Sequence, residues 1–329
     1  MMENRGAGAP ARERSGMFER IEQLIRSYDP VILHRHRNPD GDALGSQIGL
    51  KHLILANYPG KSVYMVGDPA GRYDFMEDCV MDPVPDEAYR TALAIVLDTS
   101  GKSLISDERY ARAAATARLD HHLFVERIAQ EEVTDASYES CCGLIVSMAA
   151  ECGWRIPDLA ARSLFTGMVT DSGRFRYDAT TARTFRQAAL LMERNIDTAT
   201  IYRNLYASDL EQVKLRAAFT QKITLTPRGV AYMYTTLQEL HSLPLDAFSV
   251  SRGMVNLMGD IRGVDIWVNF TETENGVLCE LRSGSRNINP VAVKYGGGGH
   301  KKASGATVKD RAEAMRMLQD LDALLEENQ

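Results

Sequence analysis

Residues 31–50 read VILHRHRNPDGDALGSQIGL. A short apolar run, Val31 to Leu33, is broken by Asn38, Pro39 and Gly41, after which apolar residues return at helical spacing. The order predicts strand, loop, helix. The loop carries His36, Asp40 and Asp42 in an H-x-x-x-D-x-D spacing, and the two carboxylates can face the same way past Gly41. Imidazole with carboxylate suits a divalent cation of intermediate hardness, manganese above all; a structural zinc site would recruit thiolates, and no Cys lies nearby. The same residues also fit a plainer reading, a β-turn over Asn38–Gly41 with Asp42 capping the helix.

The rest of the chain repeats the pattern. Ala92 to Leu97 is a continuous apolar run, as in a strand buried on both faces of a parallel sheet, and it ends in Asp98. Ala115 to Leu119 is a weaker run that ends in Asp120-His121-His122. In open α/β sheets ligands bind beyond the carboxyl ends of the strands, so three predicted strands ending in His or Asp point to one site. An Ala-, Leu- and Met-rich helix, Leu159 to Val169, leads to Thr170-Asp171-Ser172-Gly173, which also reads as a simple helix end. Arg174-Phe175-Arg176-Tyr177 follows, and Arg174 and Arg176 with two aromatics fit phosphate pairing and base stacking.

With 329 residues, 44% apolar and 25% charged, the chain is expected to be soluble and to hold two domains. Residues 1–16 are expected to be a disordered tail, 17–194 an α/β domain with a mostly parallel sheet, 195–222 a helical linker and 223–329 a smaller α+β domain. The absence of an apolar run of membrane length or a signal-peptide core predicts a cytoplasmic protein without membrane contact. Five cysteines without a C-x-x-C pair predict reduced thiols. A net charge of −6 argues against a duplex-DNA coat and leaves room for a short anionic substrate in a local basic pocket.

In the second domain, hairpins are predicted around Pro227-Arg228-Gly229 and Asn275-Gly276, helices over 247–258 and 311–327, and a glycine run, Tyr295-Gly-Gly-Gly-Gly-His300-Lys301-Lys302, between them. Successive glycines let backbone N–H groups converge on an anion, and His300 with Lys301 or Lys302 adds charge. Arg282-Ser283 offers a second phosphate contact. Such runs also serve as linkers.

Taken together, these motifs resemble the DHH phosphoesterase superfamily, with Gly296 to Lys301 similar to its DHHA1 domain. The compact bacterial nanoRNase and pAp phosphatase type is the nearest resemblance, and stand-alone cyclic-dinucleotide phosphodiesterases are also similar. The resemblance implies two divalent metal ions, usually Mn2+ with Mg2+ or Co2+ as alternatives. His36 and Asp40 would hold one, Asp42, His121 and Asp171 the other, and Asp98 would bridge them. A shared water made acidic by both ions would then attack phosphorus. His122 would face the substrate, Asp120 would orient the His pair, and Gly297, Gly298, Gly299, His300, Lys301, Arg282 and Ser283 would hold it.

Short oligoribonucleotides, pAp and linear or cyclic dinucleotides are the implied substrates, and a homodimer is implied. An inorganic pyrophosphatase-like enzyme and a non-catalytic nucleotide-binding regulator are the alternatives. Two segments depart from the family: Leu123-Phe124-Val125-Glu126 replaces a polar stretch containing Asn, and Cys141-Cys142 replaces a Ser/Thr pair.

Overall fold

The structure is a computed structural model that describes residues 16–326. The tail expected over 1–16 therefore lies outside the described residues apart from Gly16, as does Glu327 at the end of the last expected helix. The chain forms two compact units, one ending at Ala207 and the other beginning at Ser208. That boundary lies inside the segment expected to link the domains.

The first unit opens with α1 (Glu19–Ser27), which buries Ile21 and Ile25 and carries a Glu22–Arg26 pair one turn apart. There follow β1 (Val31–His34), α2 (Gly41–Asn57), β2 (Val63–Met65), β3 (Leu93–Leu97), β4 (Ala115–Asp120) and β5 (Glu131–Thr134). Four more helices complete it: α3 (Cys141–Glu151), α4 (Asp158–Asp171), α5 (Ala182–Met192) and α6 (Thr198–Tyr206). The five strands form one wholly parallel sheet in the order β2-β1-β3-β4-β5.

Alternation divides the central strands between two cores. Val31, Leu33, Ile95, Leu97, Ala117 and Leu119 join the larger cluster, which includes residues of α2, α3 and α4, while Ile32, Ala94 and Val96 face the other side. Because both faces are covered, the central strand β3 reads as an unbroken apolar run. His34 belongs to that second side: it is fully buried, with its ring centroid 5.8 Å from Tyr89 and 6.1 Å from Tyr110. It packs the sheet and does not enter the site.

This strand order reverses between β1 and β3, so the loops after those strands diverge and leave a crevice at their carboxyl ends. Parallel pairing puts the ends of β1, β3 and β4 on the same edge. Those are the ends that carry His36, Asp98 and the His121-His122 pair.

Three glycines of α2 bring α4 unusually close. A Cβ on Gly41 would lie 2.5 Å from Thr170 Oγ1, one on Gly45 2.5 Å from the Ser163 carbonyl, and one on Gly49 2.5 Å from Leu164 Cγ. Glycines at every fourth position thus let α2 press against α4, which brings the start of one helix beside Asp171 at the end of the other.

The second unit contains α7 (Leu210–Gln221), β6 (Thr224–Leu225), β7 (Ala231–Thr235), α8 (Leu237–His241), α9 (Ala247–Val255), β8 (Ile266–Thr273) and β9 (Gly276–Ser283). It ends with α10 (Asn289–Lys294), β10 (Gly298–His300), β11 (Ala303–Val308) and α11 (Arg311–Ala323). Its sheet runs β10-β11-β9-β8-β7-β6, antiparallel except for β7 beside β8. All five cysteines are free, and no helix among the described residues is long and apolar enough to cross a membrane.

A candidate metal centre at the strand ends

Asp40 precedes α2 in an extended conformation, and its Oδ1 accepts the N–H groups of Asp42 (3.0 Å) and Ala43 (2.9 Å). The cap of this helix is therefore Asp40, not Asp42 as the plainer reading expected; a cap accepts from the second and third residues beyond it, and only Asp40 is placed to do so. Asp42 does a different job. Its carboxylate accepts the backbone N–H groups of Cys141 (2.7 Å) and Cys142 (2.9 Å), the first two residues of α3. Its charge faces the positive end of that helix. Since the contact uses backbone N–H, a Cys pair serves it as well as hydroxyl residues would. Both thiols are buried, Cys141 Sγ lies 3.2 Å from the Leu119 carbonyl, and burial pushes both well above the ordinary thiol range.

The imidazoles are oriented from behind. His36 Nδ1 is 2.7 Å from the Arg37 carbonyl and His121 Nδ1 is 3.3 Å from that of Tyr138, so each Nδ1–H donates to backbone and Nε2 turns to the carboxylates. His36 Nε2 is 3.4 Å from Asp98 Oδ2 and 3.8 Å from Asp40 Oδ1. His121 Nε2 is 3.3 Å from Asp171 Oδ2, 3.5 Å from Asp98 Oδ1 and 3.8 Å from Asp42 Oδ2. These spacings exceed ordinary hydrogen bonds and surround common centres. Asp98 stands in the middle, one oxygen toward each imidazole, buried, and its Oδ1 has no hydrogen-bond partner.

The electrostatics show that the cluster lacks positive charge. Burial, then Asp98 and Asp171, drive the Asp42 carboxyl well above its usual range, against the pull of His121. Burial lifts Asp171 to about 7, with His121 opposing and Asp98 adding. Burial disfavours the charged imidazoles, yet Asp40 and Asp98 outweigh it and raise His36 to about 11, and Asp98, Asp42 and Asp171 raise His121 to about 10. Two carboxylates, Asp42 and Asp171, and two imidazoles, His36 and His121, that hold protons this tightly, gathered with Asp40 and Asp98, are a donor set on which a divalent cation of intermediate hardness replaces protons. The residues fit such an ion. His36, Asp40 and Asp98 form one group able to hold it, Asp42, His121 and Asp171 another, and Asp98, His121 and His122 a third.

His122 is different. Its Nδ1 lies 2.7 Å from Asp120 Oδ1, which removes that atom as a metal donor although it is also 3.7 Å from Asp98 Oδ1. Asp120 in turn receives Arg118 Nη2 at 2.5 Å, both residues being fully buried. The hydrogen bond that His122 donates to the Asp120 carboxylate is the main reason its imidazole is raised, with burial opposing.

Sequence reasoning missed Arg118; an arginine inside an otherwise apolar strand was the available signal. It also missed the clamp behind the first loop, where buried Arg35 donates from Nε to Gln47 Oε1 (2.9 Å) and Gln47 donates to the carbonyls of Leu33 (2.7 Å) and Val66 (2.9 Å). That clamp holds the end of β1, from which His36 departs.

The segment after Asp171 turns through three left-handed residues, Gly173, Arg174 and Phe175. Phe175 lodges between Phe165 and Phe185, and the exposed Arg174 lies 4.6 Å above the Tyr206 ring. Arg176 is also exposed.

In the second unit the glycine run is not a free loop. Gly296, with φ +74°, donates its N–H to the Val293 carbonyl and Gly297 donates to that of Ala292, closing the end of α10. Those two N–H groups cap a helix and do not converge on an anion as expected of all four glycines. Gly298 and Gly299 lie in β10, and Ala303 on β11 pairs with His300 on one side and Arg282 on the other. His300 and Arg282 therefore share a row with only a small side chain between them. Arg282 Nη1 is 3.0 Å from Glu280 Oε2, and the Ser283 hydroxyl donates to the Arg286 carbonyl at 2.5 Å.

Fold and site define the class. Residues 30–168 match the DHH family, N-terminal domain, and residues 247–327 match the DHHA1 domain; the chain belongs to the DHH family. More particularly, it is 34% identical over 313 residues to the bifunctional oligoribonuclease and PAP phosphatase NrnA of Bacillus subtilis, covering 93% of this chain and 99% of that protein. The probable bifunctional oligoribonuclease and PAP phosphatase NrnA of Streptococcus mutans is 35% identical over 309 residues, covering 94% and 99%. Among solved structures, an exopolyphosphatase-related protein from Bacteroides fragilis shares the fold, with a TM-score of 0.82 at 23% identity over 94% of this chain and 98% of that one.

The packing behind Asp42 carries a prediction. A Cβ on Gly167 of α4 would stand 2.3 Å from Cys142 Sγ, 3.0 Å from Asp42 Oδ1 and 3.1 Å from Asp42 Cα. Gly167→Ala is expected to cost about 2 kcal/mol, the usual size of overpacking, and to weaken divalent-cation binding by displacing Asp42. Thermal unfolding with and without Mn2+ checks both effects. An unchanged Mn2+-induced shift would show that Asp42 holds no ion.

Proposed function

We propose that this protein is a divalent-cation-dependent phosphoesterase that hydrolyses short nucleotides: short oligoribonucleotides, pAp, and linear or cyclic dinucleotides. The observation that carries the reading is Asp98, buried between two imidazoles with an oxygen toward each and one of those oxygens unpartnered. The names of relatives matching almost end to end, an oligoribonuclease and PAP phosphatase, support the substrate class.

In this reading His36 and Asp40 would hold one ion and Asp42, His121 and Asp171 a second, with Asp98 available to both. Two such cations, manganese by the mixture of carboxylate and imidazole, supply a low-pKa attacking water and neutralise phosphoryl charge. His122 turns its free Nε2 to the substrate and carries the proton needed by the departing ribose oxygen. Asp120 fixes that ring through Nδ1, and Arg118 fixes Asp120. Arg174 and Arg176 are offered to phosphate and base. In the second unit His300, Lys301, Arg282 and Ser283, with the Gly298–Gly299 backbone, bind the remaining phosphate and nucleotide; Gly297 contributes by holding the turn.

The test is turnover of pApA, pAp and cyclic di-AMP by metal-stripped protein, alone and with Mn2+, Mg2+ or Co2+. Hydrolysis of at least one substrate only when a cation is added, fastest with Mn2+, is expected. If cations raise the unfolding temperature but no substrate is cleaved, the protein is a nucleotide-binding regulator and the proposal fails.

A further inference from the structure

Directly after His122 the chain presents three apolar side chains to solvent: Leu123 is 74% exposed, Phe124 62% and Val125 68%. Exposed apolar residues in a row are unusual on a soluble surface unless something covers them. This stretch is also held firmly. Before it, His122 is tied to Asp120 at 2.7 Å. After it, the Glu126 carbonyl accepts Arg118 Nη1 at 3.1 Å, and the Glu126 carboxylate accepts the Lys102 N–H at 2.9 Å. A little further on, Glu132 Oε1 accepts the N–H groups of Ile128 (2.6 Å) and Ala129 (2.9 Å). Buried Arg118 is therefore a common anchor: one nitrogen reaches Asp120, which orients His122, and the other reaches the end of the apolar segment.

We propose that Phe124, flanked by Leu123 and Val125, is a stacking platform for a nucleobase of the substrate, held in register with His122 by Arg118. The inference rests on the phosphoesterase reading and extends it to the part of the substrate that binds beside the proton donor. Two extended residues span at most about 7 Å, so Phe124 stands within a nucleotide's reach of the phosphoryl group that His122 serves. The ring has no charge to offer and no hydrogen-bonding group to read a base edge, so the platform accepts any base.

A second copy of the chain is the competing occupant. Three side chains alone form a patch well below the roughly 800 Å² per partner of a stable interface. The nucleobase is favoured.

The experiment compares pApA with an analogue that keeps the ribose-phosphate backbone but lacks the bases, in Mn2+, for the wild type, Phe124→Ala, Phe124→Leu and Phe124→Trp. The wild type is expected to favour pApA by about tenfold in KM, the size of one base–aromatic stack. Phe124→Ala and Phe124→Leu should lower that preference severalfold, and Phe124→Trp should restore it. Persistence of the preference in Phe124→Ala overturns the platform. So does an equal loss on both substrates, which would make the segment a support for His122. Sedimentation showing that Phe124→Ala turns a dimer into a monomer with the preference intact would assign the surface to a second copy. If the wild type cleaves neither substrate, the phosphoesterase reading itself falls and takes the platform with it.

Discussion

Replacing Asp98 by Asn is expected to lower hydrolysis by roughly a thousandfold or more while leaving the fold intact. The choice of Asn matters because Asp98 adopts φ +47°, a left-handed conformation that costs most side chains about 1–2 kcal/mol but that Asn and Asp tolerate. Asn keeps the backbone and the shape and removes only the charge between His36 and His121. Two effects on stability then oppose each other in metal-stripped protein: Asp42 and Asp171 lose a like-charged neighbour, while the His36 and His121 imidazoles lose a charge partner, so the variant should melt close to the wild type. Adding Mn2+ should separate the two proteins, because an ion that binds only the folded state stabilises in proportion to its affinity and the variant has lost the shared ligand. Differential scanning with and without Mn2+ reads both. A variant that still gains as much stability from Mn2+ as the wild type, or that retains turnover, would remove Asp98 from the centre of the site.

The site was legible in the sequence because of where polar residues interrupt apolar ones. Buried parallel strands are continuous runs of Val, Ile, Leu and Ala, so Asp98 after Leu97 and Asp120-His121 after Leu119 stand out, and parallel pairing brings such ends to one edge. Asp171 was found in the same way, at the end of a buried helix. What escaped depended on partners distant in sequence. Strand β5, Glu-Glu-Val-Thr, buries only Val133 and has no strand texture of its own; its place at the sheet edge comes from pairing with β4. The glycine run has no local preference that separates linker from strand, and β11 decides the matter by pairing with it. Asp40 could be read as a turn residue or a ligand and Asp42 as a cap or a ligand; in the fold it is Asp40 that caps α2 while still lying beside His36, so a local backbone role and a place in the cluster are not exclusive.

His122→Ala is expected to lower kcat on dinucleotides by roughly a hundredfold to ten-thousandfold, the range for losing a positioned general acid, while leaving divalent-cation affinity nearly unchanged. The second half follows from geometry: His122 Nδ1 is engaged by Asp120 at 2.7 Å, and the ring is the most exposed of the clustered imidazoles, at 44% against 13% for His121. A proton donor and a metal ligand can be told apart by the leaving group. A ribose hydroxyl needs a proton as the bond breaks, whereas p-nitrophenolate leaves readily without one, so the variant should lose far less on a p-nitrophenyl phosphodiester than on pApA. If the loss were equal on both substrates and Mn2+ affinity fell with it, His122 would be a ligand in spite of its bond to Asp120. Arg118→Met should then distinguish orientation from ligation. Removing the guanidinium frees Asp120 to turn away from His122, which lowers kcat on pApA and leaves the Mn2+-induced rise in unfolding temperature in place if His122 acts on the proton alone.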